Sequence, residues 1–533
     1  MLNWIEAIEA VLAAAICAVS CRYYLHMFQL ESYQLDGYSR WLGKHREALM
    51  GFSLTVGVSA TLVSVLLRLL LRMVFGREWG TAITAIITLS GFGYGAYTLF
   101  GQQYKTPERK PLSFTPRMKR LCVCTALITM LAALAIDFLG VPPYVLYLAL
   151  AYIVMVAGFL MQPIERYIND WYKDDAEERL ERRTDLIKIG ITGSYGKTST
   201  KFILATILSE RYDVLATPSS FNTPMGITRV VREQLEDHHQ VFIAEMGARH
   251  VGDIKELVEL VKPRYGVLTS VGPQHLETFG GIETVAATKN ELIAGLPKDG
   301  TAFFAKDDSW VDKLYKQCTV EKYRTGLFGG ILDLYADDLR VSAEGSEFAL
   351  CSAEGETVRC KTLMLGKHNI ENIVLACMVA KKMGMSMEEI ARGVGKTKPV
   401  EHRLQLIKSA SGMTVIDDAF NSNPVGAKAA LDVLRAFDGR RLIVTPGIVE
   451  GGTDEAAINH NLGRQMAGSC DVIILVGPKR TVPIADGALE AGFDESQLHV
   501  VQNLEAATAL LSQIGRPGDV VLFENDLPDN YSE

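Results

Sequence analysis

Residues 193–199, Gly-Ser-Tyr-Gly-Lys-Thr-Ser, hold the side chains in this 533-residue chain best suited to bind phosphate. Gly193 and Gly196 permit a tight turn, while Ser194, Tyr195, Gly196 and Ser199 supply backbone N–H groups that can converge on an anion. Lys197 would reach terminal phosphates, and the Thr198 hydroxyl would hold Mg²⁺. The eight-residue phosphate-loop pattern is not met, because Ile191 stands where its first glycine belongs. A glycine turn that only caps a helix is the competing reading. Further along, Glu245 ends the apolar run Val241–Glu245, where a carboxylate can hold Mg²⁺ through oxygen. Asn222 and Thr223 open a helix and suit capping as well as substrate contact. Asn369 and Asn372, three apart, share a helical face and could both meet a base or ribose, with capping the alternative for Asn369. Asp417, Asp418, Asn421 and Asn423 form a cluster too polar for a core, which marks a second ligand-facing loop.

These residues need rigid supports, and the hydrophobic pattern supplies them. Leu186–Thr192 reads as a buried strand and the residues from Thr198 as a helix with an apolar face. From 186 to 398, strands alternate with helical periods, which predicts a mostly parallel α/β domain of the phosphate-loop ATPase kind. Within it His275 falls in a loop after the strand Tyr265–Val271, and Lys289 on a helix over about 281–295. By themselves these are an ordinary loop histidine and a solvated lysine. Pro399 marks a break. Residues 399–533 read as a smaller, Rossmann-like α/β domain, with Arg403 on a strand over 400–407 and further strands at 414–418, 441–447, 471–476 and 519–523.

The excess hydrophobicity lies before residue 165. Runs at about 3–24, 49–73, 79–100, 119–139 and 141–162 each fit a bilayer span, so 1–164 is read as a membrane domain of five helices. Glu6 and Glu9 at the start of the first run argue against a cleaved signal peptide. Lys105, Arg109, Lys110, Arg117, Lys119 and Arg120 after the third span, and Arg22, Arg40, Lys44 and Arg46 after the first, place those loops in the cytoplasm. The N-terminus is then outside, and the α/β domains lie on the cytoplasmic side of the cell membrane. Arg68, Arg72 and Arg77 run against this rule, and we expect them to snorkel or to meet a lipid phosphate. Residues 165–185, dense in both charge signs, read as a helical connector. A net charge of −8 gives no hint of nucleic-acid binding, and nine cysteines without a C-x-x-C pair argue against zinc.

Taken in order, Thr-Gly-x-x-Gly-Lys-Thr, Ala-Glu-Met-Gly, Gln-His-Leu-Glu, Ala-Ala-Thr-Lys-Asn-Glu, Leu-Gly-x-His-Asn-x-x-Asn, His-Arg and Asp-Asp-Ala-Phe-Asn-Ser-Asn-Pro resemble the Mur ligases over 185–533. These are the ATP-dependent amide-forming ligases of peptidoglycan precursor synthesis, and the last motif is similar to the branch that adds D-alanyl-D-alanine. The resemblance implies ATP and two Mg²⁺ ions as cofactors. Lys197 and the loop amides would bind phosphates. Thr198, Glu245 and His275 would hold metal, and Lys289 would be carbamylated to orient the second ion. Asn369 and Asn372 would contact adenosine, and Arg403 and Asp418 ribose and phosphate. Asn222, Thr223, Asn421 and Asn423 are the candidate substrate contacts. The implied partners are a peptide precursor and an amino acid or dipeptide. The family's soluble sugar-nucleotide domain is here replaced by membrane spans, so the precursor is UDP-linked or lipid-linked, with membrane lipid, and Arg68 and Arg72, close by. Phe523-Glu-Asn-Asp526 and Thr445–Glu450 also depart from the family's usual runs. A membrane-bound polyamide ligase and a non-catalytic ATP-sensing scaffold are the rival readings. An ATP-driven transporter lacks its Leu-Ser-Gly-Gly signature.

Overall fold

Among the described residues up to 171, large apolar side chains face outward as well as filling the interior. In the computed structural model, Leu62, Leu66, Leu69 and Leu70 of helix Arg46–Phe75, and Leu127 and Leu131 of helix Pro116–Phe138, face outward. Water would penalise such surface, whereas lipid would not. Five helical stretches are long and apolar enough to cross a bilayer: Trp4–Leu30, Leu54–Phe75, Arg77–Leu99, Pro116–Phe138 and Pro143–Arg182. They coincide with the five hydrophobic runs. The structure describes residues 4–103, 111–218, 221–272, 276–305, 309–328, 330–342, 345–399, 402–409, 411–419, 423–449 and 454–525. Lys105, Arg109 and Lys110 of the orientation argument lie outside them. The chain divides into two compact units between Trp171 and Tyr172.

Inside the first unit the polar groups meet one another. Glu9, fully buried, takes a hydrogen bond from Arg68 Nη2 at 2.5 Å and another from the Tyr144 hydroxyl at 2.6 Å. Arg72 Nη2 lies 2.6 Å from Glu6 Oε1, and Arg72 Nε donates to Thr81 Oγ1 at 3.0 Å. Arg68 and Arg72, expected to snorkel or to meet a lipid phosphate, thus have partners within the protein itself. The acids of the first helix reach them, because a carboxylate within hydrogen-bond range satisfies a guanidinium that the apolar surroundings would otherwise strand.

The second unit holds two sheets. The first has nine strands in the order β2-β3-β1-β4-β5-β6-β7-β8-β9. These are β1 Ile187–Thr192, β2 Val214–Ala216, β3 Val241–Glu245, β4 Tyr265–Leu268, β5 Thr301–Ala305, β6 Glu321–Leu327, β7 Leu334–Ser342, β8 Gly345–Ser352 and β9 Thr357–Thr362. Strands β2 to β7 pair in parallel and β7-β8-β9 antiparallel. The antiparallel end differs from the expected strand–helix alternation. Loops of a few residues join β7 to β8 and β8 to β9, too short for the crossover that a parallel return needs. The central strands are buried on both faces by helices, which is why they are continuous apolar runs. The second sheet runs β10-β11-β15-β12-β13-β14. Its members are β10 Gln405–Lys408, β11 Thr414–Asp418, β12 Arg441–Thr445, β13 Val472–Val476, β14 Leu498–Val501 and β15 Val520–Glu524, all parallel except β10 against β11.

Residues 150–182 form one helix, and its last turns carry more than charge. Ala176 and Leu180, four apart, are buried in the core between helices and the first sheet. Asp175 pairs with Arg232 at 2.6 Å, and the Arg232 guanidinium lies 4.0 Å over the Tyr172 ring.

Candidate active site

The turn after β1 is built around its glycines. Gly196 has φ +80°, and a Cβ there would come within 2.7 Å of Asn372 Oδ1, so any side chain meets both strain and a clash. Ser194 N and Tyr195 N donate to Ser270 O and Ser270 Oγ, both at 2.9 Å, which ties the loop to the end of β4. Helix Lys197–Leu208 follows, aiming its N-terminus into the turn. Lys197 Nζ donates to Gly193 O at 2.6 Å and Ser194 O at 3.1 Å. Burial pushes its ammonium down to about 8, with Glu245 opposing and Arg403 adding to the fall.

Glu245 stands at the carboxyl end of β3, directly beside β1. Its Oε1 accepts from Thr198 Oγ1 at 3.1 Å and Asn222 Nδ2 at 3.2 Å, and its Oε2 lies 3.0 Å from Lys201 Nζ. Lys289, on helix Ile282–Ala294, is buried and not the solvated lysine of the plain reading. Burial first, and then the nearby Lys197 charge, pull it down to about 7. Asn372 abuts Gly196, whereas Asn369 Nδ2 donates back to Leu365 O at 2.8 Å. Gly366, not Asn369, is the N-terminal cap position of their helix, Lys367–Lys382.

The second sheet completes the site. Arg403 precedes β10 instead of lying on it, because His402 and Leu404 on either side have positive φ, +59° and +46°, which breaks the extended run. Asp418 ends β11, accepts from Leu404 N at 3.1 Å, and sits beside Glu524 of β15 in register. Burial raises the Asp418 carboxyl to about 6, against the pull of the Leu404 N–H and of Arg403. Asn423 Oδ1 caps helix Pro424–Arg435, accepting from Gly426 N at 3.0 Å, and Thr223 caps Pro224–Gln234 in the same way. For these two residues capping is what the geometry displays. His275 and Asn421 lie outside the described residues.

Lys197, Thr198, Glu245, Lys289, Asn372, Arg403 and Asp418 all line one cavity of about 940 Å³, large enough for a nucleotide and part of a second substrate. The oxygens of Thr198 and Glu245 suit one Mg²⁺ whose remaining ligands would be water and phosphate. Lys289 as an ammonium offers no lone pair, and no group of three His, Cys, Asp or Glu side chains among the described residues could hold a metal. Sequence reasoning missed Lys201, His368 and Glu524, which also belong here. Lys201 was detectable as a lysine one turn beyond Lys197, on the side of the helix that continues through Leu204 and Leu208. His368 lines the cavity and is driven down to about 4 by burial and Arg403, so it is neutral near pH 7.

A glycine loop between a parallel strand and a helix, facing an acid at the end of the neighbouring strand, defines a phosphate-loop nucleotide enzyme, here with its cavity closed by a second α/β sheet. Two family models match in succession: Mur ligase middle domain at residues 191–380, and Mur ligase, glutamate ligase domain at 402–524. A UDP-N-acetylmuramoyl-tripeptide–D-alanyl-D-alanine ligase of Bacillus subtilis is 30% identical over 339 residues, covering 63% of this chain and 72% of that protein. The ligase of the same name from Mycobacterium tuberculosis is 32% identical over 362 residues, covering 63% and 69%. A crystal structure of MurF from Acinetobacter baumannii superposes with TM-score 0.60 at 27% identity, over 67% of this chain and 77% of that one. The chain belongs to the Mur ligase family of ATP-dependent amide-forming ligases.

Proposed function

We propose that the protein adds D-alanyl-D-alanine, or a closely related amine, to the terminal carboxylate of a muramoyl-tripeptide precursor, from the cytoplasmic face of the cell membrane. One observation carries this reading: the phosphate loop, Glu245 and Lys289 of one sheet share a cavity with Arg403 and Asp418 of the other. The similar ligases of Bacillus and Mycobacterium supply the substrate names.

In this reading ATP lies with its phosphates on residues 193–199 and its adenosine toward Asn369 and Asn372, with Arg403 and Asp418 at ribose and phosphate. The precursor carboxylate attacks the γ-phosphorus in line, the bond to the β–γ bridging oxygen breaks, and ADP leaves with that electron pair. The amine nitrogen then attacks the acyl carbon, phosphate departs, and the nitrogen gives up a proton. Lys197 offsets the charge gathering on the transferred group. Thr198, Glu245 and His275 would hold Mg²⁺, which supplies electrostatic stabilisation of the phosphates. Lys289 would join them after carbamylation, because a carbamate offers the oxygen that an ammonium lacks. Burial and the Lys197 charge already favour the neutral amine that must react with CO₂.

Full-length protein in detergent, with ATP, Mg²⁺ and D-alanyl-D-alanine, is given a UDP-muramoyl tripeptide or its lipid-linked counterpart and read by mass spectrometry. A product heavier by one dipeptide on either acceptor supports the proposal and identifies the carrier. ATP turnover with no such product on either acceptor refutes it.

A further inference from the structure

Lys201 is a buried cation for which the reaction above has no use. It lies one helical turn beyond Lys197, with no side-chain exposure, and its Nζ sits 3.0 Å from the Oε2 of Glu245, which is 1% exposed. The two oxygens of Glu245 therefore face different partners. Oε2 is held by a fixed ammonium within the fold, and Oε1 meets the Thr198 hydroxyl and the Asn222 amide at the cavity wall. An isolated charge at such depth is costly, and the pair persists because each member offsets the other. The consequence for a divalent cation follows from the charges. Without nucleotide, an incoming cation meets a carboxylate already neutralised by Lys201, with Lys197 and Arg403 on the same cavity. With nucleotide, phosphate oxygens cancel that positive field and add ligands of their own.

We propose that Lys201 is a built-in counter-ion that makes divalent-cation binding at Glu245 conditional on bound nucleotide. It is a positioning residue, and the inference rests on the nucleotide reading of the cavity. Lys201 keeps the Glu245 carboxylate oriented while withholding the charge that would trap a metal in the empty site, so that cation and nucleotide enter together.

The test is Mn²⁺ binding by electron paramagnetic resonance to full-length protein in detergent, with and without ADP, with ADP binding measured separately by calorimetry. Wild type should bind Mn²⁺ at least about tenfold more tightly with ADP than without. Lys201→Met and Lys201→Gln should bind it about tenfold more tightly than wild type in the absence of ADP, with the ADP effect shrinking by the same factor. Lys201→Arg, which keeps the charge, should retain the wild-type ratio. A purely structural lysine would move the melting temperature and leave that ratio untouched. Unchanged or weaker nucleotide-free binding in the folded neutral variants overturns the proposal. So does a wild type whose Mn²⁺ affinity ignores bound ADP, a result that needs no variant to fold. Failure of ADP to bind at all sinks the nucleotide reading itself, and this inference with it.

Discussion

At the scale of single residues, the site is a balance of buried charge. Lys197 bonds to the carbonyls of its own loop, which keeps its ammonium where the terminal phosphates of ATP would lie. Lys197→Ala should lower kcat by about 10²–10³-fold, as loss of one preorganised donor does, with the melting temperature nearly unchanged. Steady-state kinetics and calorimetry on the same sample check both halves. Lys289 carries a pH prediction. Its ammonium titrates near 7, so the neutral amine that reacts with CO₂ is scarce at pH 6 and predominant at pH 8. In CO₂-depleted buffer, activity should therefore rise with pH through about 7, and added bicarbonate should restore more of it at the alkaline end. Lys289→Ala should abolish product, with short carboxylic acids restoring it by standing in for the carbamate. Absence of both effects would return Lys289 to a purely electrostatic role.

At the scale of elements, two devices set the geometry. The first is the clamp between the phosphate loop and β4, where Ser270 holds two successive loop amides. Gly196→Ala places a methyl against Asn372 at positive φ. ATP affinity should then fall at least about tenfold while the fold survives, a shift that nucleotide-binding calorimetry would register. The second device is the polar seam among the apolar helices. Arg68→Leu leaves the buried Glu9 carboxyl without its cationic partner and should cost about 3–5 kcal/mol in detergent unfolding, whereas the double change with Glu9→Leu should recover most of that loss. If the single and double variants melt alike, Glu9 and Arg68 do not stabilise as a pair.

At the scale of the whole molecule, the proposed membrane placement makes a topological prediction: five crossings would put residues 1–3 and the α/β domains on opposite sides of the bilayer. An N-terminal tag should be cleaved by protease added to intact cells, and a C-terminal fluorescent fusion should stay protected and bright; the reverse pattern overturns the orientation. Much of this architecture was legible in the chain itself. Twenty-residue apolar runs admit few fates but a bilayer, and strand-length apolar runs between helical periods imply a parallel sheet. The glycine turn and the strand that ends in Glu245 were equally readable, because a positive φ selects glycine and a buried strand selects apolar residues. Partnerships between distant positions were not. Glu9 meets Arg68, Lys201 meets Glu245, and Asp418 meets Glu524 only because helices pack and strands pair across long separations. Arg403 left its expected strand where positive φ at His402 and Leu404 breaks the extended run, and the Leu404 N–H there is held by Asp418, fourteen residues on. Periodicity records which face of an element is buried, and so the sequence alone determined the elements and the chemical class of the loop. Which charge answers which is a property of folded distance, and only the tertiary structure decided it.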